Sequence, residues 1–323
     1  TMLPVIDFES CQPNVDVSNE QLKETGKLLI DALSTAGFLY LKNSGISRKS
    51  IEAMRNAAEG IFAAPVEEKE KYAMDPKTFC GYVGMTSENL DPEHPTDYKE
   101  AFHIASVALD PTVGMKWPHD LSPDFASVSA SFMEEYKALS LRILKAIGVG
   151  MKLKDPDYFT KAHNFMHKQG NMSGLRVLRY PPVPEGVKTP DQRLGEHTDW
   201  ASISLLIVDQ VGGLQVSIDG ENYEEVQPIE DTVLLNIGDT MQFWTNGKMK
   251  SKKHRVILPK GREKMTRRSM GYFVHADNEV VINQPLVYEG DPDVAEVVKN
   301  PITSQEYVVG KLNEAHNLTA KAY

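Results

Sequence analysis

The C-terminal half of the chain reads as a series of short β-strands. From Leu175 onward, short runs rich in Val, Ile, Leu, Tyr and Phe alternate with turn signals. These signals are Gly212-Gly213, Asp219-Gly220, Gly238-Asp239 and Asn246-Gly247, which are residue pairs that hairpin turns prefer. Many short strands with such turns indicate a β-sandwich or a jelly roll. The predicted strands are Leu175–Tyr180, Ala201–Val208, Leu214–Ile218, Val233–Asn236, Lys253–Leu258 and Arg267–Val274.

Helices are predicted on both sides of this β-region. Apolar residues recur at helical spacing over residues 20–36, 48–62 and 124–151, and the first of these segments follows Asp16-Val17-Ser18-Asn19, which offers N-caps. A broad apolar face on the third segment predicts that this helix packs on the outside of the β-structure. A last helix is predicted over residues 304–313. The sequence therefore predicts a mainly β fold with flanking helices.

The composition argues against several classes of partner. With 41% hydrophobic and 25% charged residues, the chain has the composition of an ordinary globular protein. Its net charge of −10 disfavours general binding to nucleic acid or to a membrane surface, and no apolar run is long enough to span a bilayer. Cys11 and Cys80 form neither a metal motif nor a disulfide framework, so we expect a cytoplasmic protein. Nothing reads as a coiled coil or an interface stripe, so we expect a monomer.

A His-x-Asp pair and a distant histidine give the first indication of chemistry. His197 and Asp199 lie two residues apart in the segment Gly195–Trp200. Residues two apart on a strand point to the same face, so these two side chains should converge on one point. His254 follows in a second strand-like run. Two imidazoles and one carboxylate bind a divalent ion on one face and leave the other positions open, as in non-haem iron sites.

An arginine and a serine follow at the same two-residue spacing. Arg267 and Ser269 begin the last predicted strand, which places the guanidinium and the hydroxyl on one face. A planar guanidinium beside a hydroxyl suits bidentate binding of a carboxylate. Taken alone, such an arginine is more often solvated or ion-paired. Its meaning here depends on the three predicted metal ligands.

Together these residues resemble the 2-oxoglutarate/Fe(II)-dependent dioxygenases, in their isopenicillin N synthase-like branch. Further segments similar to family motifs are Gly37–Ile46, Pro65–Lys69, Gly81–Gly84, Asp97–Phe102 and Trp117-Pro118. The first of them matches the family pattern GFF-x-V-x-NHGI, with Ser44 where the family has histidine. That histidine is not an iron ligand in the family, so the departure leaves the metal site untouched.

The resemblance covers nearly the whole chain and implies its architecture. The expected core is a double-stranded β-helix, which is a jelly roll, with an N-terminal α/β region packed on it. The expected parts are an N-terminal dioxygenase region (residues 1–120), a long helical support (121–174), the Fe(II)/2-oxoglutarate double-stranded β-helix (175–290), and a C-terminal helix and tail (291–323).

The resemblance also implies roles for single residues. The implied catalytic metal ligands are His197, Asp199 and His254. Arg267 and Ser269 would hold the distal carboxylate of 2-oxoglutarate. Tyr180 matches the second tyrosine of the family's N-Y-Y-P motif, which also contacts this cosubstrate. Leu178 replaces the asparagine of that motif, so one polar contact to 2-oxoglutarate is missing or supplied elsewhere.

The implied activity is oxidation of a substrate C–H with Fe(II), O2 and 2-oxoglutarate, releasing succinate and CO2. The outcome would be hydroxylation, desaturation or oxidative cyclisation of a small molecule. Candidate substrate-binding residues are Arg176, Phe273 and His275, and a second inward-facing arginine favours a substrate with its own carboxylate or phosphate. Three alternatives are open at this point: a 2-oxoglutarate-independent oxidase like isopenicillin N synthase or ACC oxidase, a non-catalytic binding module of the same fold, and a hydroxylase of proteins or nucleic acids. The acidic balance disfavours a nucleic-acid substrate, and the similarity to the small-molecule branch disfavours a protein substrate.

Overall fold

The chain folds as two facing β-sheets, with helices packed against the larger one. The computed structural model describes residues 2–85, 87, 97–184, 192–291 and 298–315. The predicted C-terminal tail lies outside these described residues. No helix among them is both long and apolar enough to span a bilayer.

The N-terminal part combines helices with short strands. Its elements are β1 (Val5–Asp7), α1 (Asn19–Thr35), β2 (Phe38–Lys42), α2 (Arg48–Phe62), α3 (Val66–Glu70), β3 (Gly81–Val83), β4 (Glu100–Ala105), α4 (Phe125–Gly150) and α5 (Tyr158–Lys161). Helix α1 begins at a capping box in which Ser18 and Gln21 exchange hydrogen bonds. Helices α1 and α2 both pack against α4, and the apolar faces of all three turn toward the larger sheet, as predicted for the long helix.

The C-terminal part supplies most of the strands. Its elements are β5 (Gly174–Tyr180), β6 (Gln192–His197), β7 (Ile203–Val208), β8 (Leu214–Val216), β9 (Glu224–Glu225), β10 (Thr232–Ile237), α6 (Asp239–Trp244), β11 (His254–Ile257), β12 (Arg267–Val274) and α7 (Ser304–Ala315). The larger sheet has the order β1-β2-β10-β7-β12-β5-β4-β3, and the smaller has the order β6-β11-β8-β9. Apart from the β8–β9 hairpin, consecutive strands from β5 to β12 alternate between the two sheets. This winding confirms the predicted double-stranded β-helix.

The larger sheet separates two apolar cores because side chains alternate along its strands. On β10, Val233, Leu235 and Ile237 pack against the helices, whereas Leu234 and Asn236 face the smaller sheet. The space between the sheets therefore receives a few polar side chains within an apolar lining. The N-terminal strands extend both edges of this sheet, with β1 and β2 on one side and β3 and β4 on the other.

Three of the four predicted hairpin turns are wrong. Gly238-Asp239 and Asn246-Gly247 stand at the two ends of helix α6, because the chain must cross there from β10 in the larger sheet to β11 in the smaller one. Gly212-Gly213 likewise carries the chain from one sheet to the other, with positive φ angles of 79° and 86°. Only Asp219-Gly220 joins two paired strands, β8 and β9.

Candidate active site

Three side chains meet between the two sheets. His197 Nε2 lies 3.8 Å from Asp199 Oδ1, and His254 Nε2 lies 3.6 Å from the same oxygen. The three ligand atoms lie within 4.8 Å of one another. Strands β6 and β11 are paired with His197 opposite His254, and this pairing brings together two histidines that are far apart in sequence. The predicted ligand set is therefore assembled around one point.

The hydrogen bonds of the two imidazoles leave the correct nitrogen for a metal ion. His197 Nδ1 donates to the carbonyl of Gly195 at 2.7 Å, and His254 Nδ1 donates to the carbonyl of Lys252 at 3.1 Å. A carbonyl can only accept a hydrogen bond, so each Nδ1 carries the proton and each Nε2 keeps its lone pair. Backbone contacts of this kind fix the tautomer and the ring orientation of metal-binding histidines. The donor set thus fits a divalent metal ion.

Asp199 is held by groups that the sequence did not single out. Strand β6 ends at His197, so the prediction that one strand carries both residues is wrong, and Asp199 lies in the segment that follows. The buried Asn236 donates from Nδ2 to Asp199 Oδ2 at 2.7 Å, and the backbone N–H of Asp239 donates to the carbonyl of Asp199 at 2.8 Å. These contacts direct Oδ1 toward the two imidazoles.

Electrostatics keep His197 and Asp199 in their metal-binding protonation states. Burial, with the neighbouring His254 acting in the same direction, lowers the pKa of His197 to about 4. Burial alone would raise the pKa of Asp199, but the two imidazoles and the hydrogen bond from Asn236 outweigh it, so this pKa is lowered. At neutral pH the site therefore presents a carboxylate and a neutral imidazole at His197, as metal binding requires.

A cavity of about 420 Å³ opens beside these residues. Its lining contains all three side chains predicted to bind substrate, which are Arg176, Phe273 and His275. It also contains Lys77, Lys99 and His103, which the sequence analysis did not select, and residues of helix α7 close it on one side. Among the described lining residues, the only acidic one is Asp199, a predicted metal ligand.

Strand register sets the order of residues along one wall of the cavity. Arg176 pairs with His103 of β4 on one side and with Gly271 of β12 on the other. Phe273 stands opposite Gly174 in the strand register, and its ring lies over Gly271, 3.2 Å from where a Cβ at that glycine would be. The same alternation turns Arg179 to the opposite face, where it pairs with the buried Glu100 at 2.8 Å.

The predicted cosubstrate residues form a second group, at the opposite end of β5. Arg267 pairs with Tyr180 across the strands, and its guanidinium lies 4.8 Å from the centre of the tyrosine ring. Its Nε donates to the carbonyl of Gly212 at 2.8 Å, and Nη1 donates to Ser269 Oγ at 3.3 Å. Arg267 is 3% exposed, and no carboxylate among the described residues pairs with it. A buried cation of this kind needs an anionic ligand.

Comparison with known proteins identifies the family. The model of the 2OG-Fe(II) oxygenase superfamily matches residues 172–276, and the model named non-haem dioxygenase in morphine synthesis N-terminal matches residues 3–122. The 2-oxoglutarate-dependent dioxygenase htyE of Aspergillus rugulosus is 31% identical over 279 residues, which cover 79% of this chain and 82% of that protein. The chain belongs to the 2-oxoglutarate/Fe(II)-dependent dioxygenases. The match of the N-terminal model agrees with the isopenicillin N synthase-like branch.

Solved structures support the same assignment. A full-length Neurospora crassa protein, crystallised in complex with alpha-KG, which is 2-oxoglutarate, has 31% identity and a TM-score of 0.82, covering 97% of this chain and 96% of that one. The same Neurospora protein with alpha-KG and thymine has 30% identity, a TM-score of 0.81 and the same coverage. The protein is thus an Fe(II)- and 2-oxoglutarate-dependent oxygenase of small molecules.

Proposed function

We propose that the site has three functional parts, each held by the residues predicted for it. The Fe(II) is held by His197, Asp199 and His254. The distal carboxylate of 2-oxoglutarate is bound by Arg267, Ser269 and Tyr180. The substrate is bound by Arg176, Phe273 and His275. When bound, iron and 2-oxoglutarate supply the activation of O2 that oxidises a substrate C–H.

The cosubstrate assignment rests on a preformed anion site. The carbonyl of Gly212 and the hydroxyl of Ser269 hold the guanidinium of Arg267 in one orientation before any ligand arrives. A guanidinium held in one orientation can donate two parallel hydrogen bonds to a carboxylate, and it loses little side-chain entropy when the carboxylate binds. Tyr180 covers one side of the guanidinium and shields it from water.

The substrate is a small metabolite with its own carboxylate, and the charge of the cavity is the observation that carries this proposal. With Asp199 committed to the metal, the remaining charged side chains of the described lining are Lys77, Lys99 and Arg176, all cationic, and of these Lys99 forms an ion pair with the buried Asp97 at 3.3 Å. His275 adds a polar contact: it is 8% exposed, and its Nδ1 has no hydrogen-bond partner among the described residues. Burial lowers the pKa of His275 to about 4, so the ring is neutral and Nδ1 can contact a substrate directly.

Apolar side chains hold the substrate and exclude water. Phe273 and Trp200 line the cavity beside the metal ligands, and Val308, Val309 and Leu312 of α7 cover it. Apolar contacts fix the position of a substrate C–H without competing for its polar groups. The reaction at that C–H is hydroxylation, desaturation or ring closure.

The metal and cosubstrate assignments can be tested by anaerobic titration of the full chain with Fe(II) and 2-oxoglutarate. We expect a weak visible charge-transfer band, lost in His197→Ala and shifted to higher 2-oxoglutarate concentration in Arg267→Ala. The matched controls are His119→Ala and Arg268→Ala, because His119 is exposed and Arg268 points outward to Glu59 at 2.7 Å. Iron binding without the band would favour the 2-oxoglutarate-independent oxidase, and absence of iron binding would refute the enzyme assignment.

The substrate assignment can be tested by succinate release with a panel of small carboxylates. Thymine serves as the neutral comparison, because the Neurospora relative was crystallised with it. We expect turnover of a carboxylate, with at least a tenfold loss of kcat/KM in Arg176→Gln, since a charge-assisted hydrogen bond contributes about 1.5–3 kcal/mol. Turnover of thymine alone, with Arg176→Gln unchanged, would contradict an anionic substrate.

We also propose a monomeric, cytoplasmic protein. Cys11 and Cys80 are buried and unpaired, as is usual in a reducing compartment. Size-exclusion chromatography with light scattering should give the mass of one chain. A stable mass of two chains would contradict this expectation.

A further inference from the structure

A second buried guanidinium lies near the proposed cosubstrate site. Arg193, on strand β6, is 2% exposed, which is rare for arginine. Its Nη2 donates to the carbonyl of Pro181 at 2.5 Å. Its Nε is buried and has no hydrogen-bond partner among the described residues. One end of the guanidinium is therefore anchored to the backbone while another N–H is left for a ligand.

Arg193 and Arg267 contact the same aromatic ring. The guanidinium carbon of Arg193 lies 5.5 Å from the ring centre of Tyr180, and that of Arg267 lies 4.8 Å from it. Arg193 also lies 5.6 Å from the ring centre of Tyr98. Cation–π contacts offset part of the cost of burying a cation, but they do not neutralise its charge.

Within the part of the chain that the structure describes, Arg193 and Arg267 have no acidic partner. Among the described residues, none of the ion pairs within 4.0 Å involves either of them. Burial lowers the pKa of Arg193 to about 10, and the charge of Arg267 acts in the same direction. Arg193 therefore stays protonated at neutral pH, and it lies in the same buried site as the guanidinium of Arg267. Such an arrangement is destabilising unless a ligand supplies negative charge.

We propose that Arg193 is a second cationic anchor for the distal carboxylate of 2-oxoglutarate. The inference rests on the assignment of Arg267 to that carboxylate, and it adds a residue from the smaller sheet to a site otherwise built from the larger one. Arg267 provides a guanidinium that is held by Ser269 on the larger sheet. Arg193 provides a further N–H donor from the smaller sheet. The anchor thereby bridges the two sheets when 2-oxoglutarate binds.

The alternative is a purely structural role, in which Arg193 only fastens the end of β5 through Pro181. The two roles predict opposite effects on the unliganded protein. If Arg193 has only this structural role, removing its charge lowers the melting temperature of the unliganded protein. If Arg193 is an anion anchor, removing its charge relieves repulsion from Arg267, so the melting temperature stays the same or rises while ligand binding weakens.

The test uses the full chain and the variants Arg193→Gln and Arg193→Lys. Isothermal titration calorimetry measures the Kd of 2-oxoglutarate for the Mn(II)-loaded chain, and thermal unfolding is followed for the metal-free chain with and without 2-oxoglutarate. The matched control is Arg255→Gln, because Arg255 also stacks on a tyrosine, at 3.9 Å from the ring centre of Tyr223, but belongs to the outer face of the smaller sheet.

For Arg193→Gln we expect a Kd raised on the order of tenfold to a hundredfold. We also expect an unliganded melting temperature at or above wild type and a smaller stabilisation by 2-oxoglutarate. Arg193→Lys should recover part of the affinity, because it restores the charge. The proposal is overturned by a Kd within threefold of wild type in Arg193→Gln, or by a loss of affinity that Arg193→Lys does not reduce. Failure of the wild-type chain to bind 2-oxoglutarate would instead refute the proposed function.

Discussion

The hydrogen bond from Asn236 to Asp199 should control metal affinity. Asn236 is 1% exposed, and its Nδ2 is 2.7 Å from Asp199 Oδ2, while Oδ1 faces the two histidines. Replacing Asn236 with leucine keeps a side chain of similar size and removes the donor. The carboxylate can then rotate, and its second oxygen is left buried without this partner.

The expected magnitude follows from the kind of bond that is lost. A hydrogen bond to a charged group contributes about 1.5–3 kcal/mol, and each 1.4 kcal/mol is a factor of ten in a dissociation constant. Loss of an outer-shell partner of a metal ligand typically costs ten- to a hundredfold in affinity. Both lines of reasoning give a Kd for the metal that is about ten- to a hundredfold higher in Asn236→Leu.

The assay is calorimetric titration of the metal-free chain with Mn(II), with anaerobic Fe(II) as a second ion. Thr240→Val is the matched control, because Thr240 is 1% exposed and donates to the backbone carbonyl of Trp200 at 3.0 Å, without contacting a metal ligand. This control should lose stability but keep the metal affinity within about threefold. An unchanged Kd in Asn236→Leu would refute the reasoning, since Asp199 would then be oriented by other groups.

Three further predictions concern the stability of the protein and helix α7, which covers the cavity. Gly238→Ala should destabilise the protein by about 1–3 kcal/mol and weaken metal binding, because the added Cβ would lie 2.1 Å from the carbonyl oxygen of Ala201. Urea unfolding measures the stability, and an unchanged unfolding midpoint would contradict this prediction. Burial lowers the pKa of His163 to about 4, so on acidification this imidazole binds a proton in the unfolded chain at a higher pH than in the folded one. Up to about 3 kcal/mol of folding stability should therefore be lost as the pH falls from 6.5 to 4. His163→Gln should flatten that part of the stability curve of the metal-free chain, and a curve parallel to wild type would exclude this role. Tyr307→Phe removes the hydrogen bond from α7 to Asp239 Oδ2 at 2.7 Å, so amide exchange in α7 should become about tenfold faster. Hydrogen-exchange mass spectrometry measures this rate, and an unchanged rate would mean that other contacts hold α7.

The fold was predictable from sequence where alternation and turns dominate. Strand β12 begins at Arg267 and ends at Val274 as predicted, because its apolar residues alternate with inward-facing polar ones. The sequence did not reveal which sheet receives each strand. Turn residues signal a change of direction, but they do not distinguish a hairpin from a crossing between sheets. For that reason the sequence predicts a hairpin connection where the structure has helix α6.

The site was predictable where the chemistry needs a rare combination of residues, and it was missed where one polar side chain enters an apolar strand. His197, Asp199 and His254 stand out by type and spacing. Asn236 ends the predicted strand Val233–Asn236, where a polar residue is indistinguishable from a turn residue, but β10 continues to Ile237. Arg193 is adjacent to polar residues and reads as a surface arginine, because burial depends on strand pairing that short-range patterns do not encode.

The register of β5 and β12 separates the proposed cosubstrate site from the proposed substrate site. The pair Arg267 and Tyr180 lies at one end of these strands, and the pair Gly271 and Arg176 lies four residues further along. At about 3.3 Å per residue, the two levels are about 13 Å apart along the strand. That separation exceeds the length of a direct hydrogen bond, so we expect a change at Arg176 to leave the proposed cosubstrate anchor intact. Because Gly271 has no side chain, the ring of Phe273 lies over this position, 3.2 Å from where a Cβ of Gly271 would be, so Phe273 shapes the wall opposite Arg176.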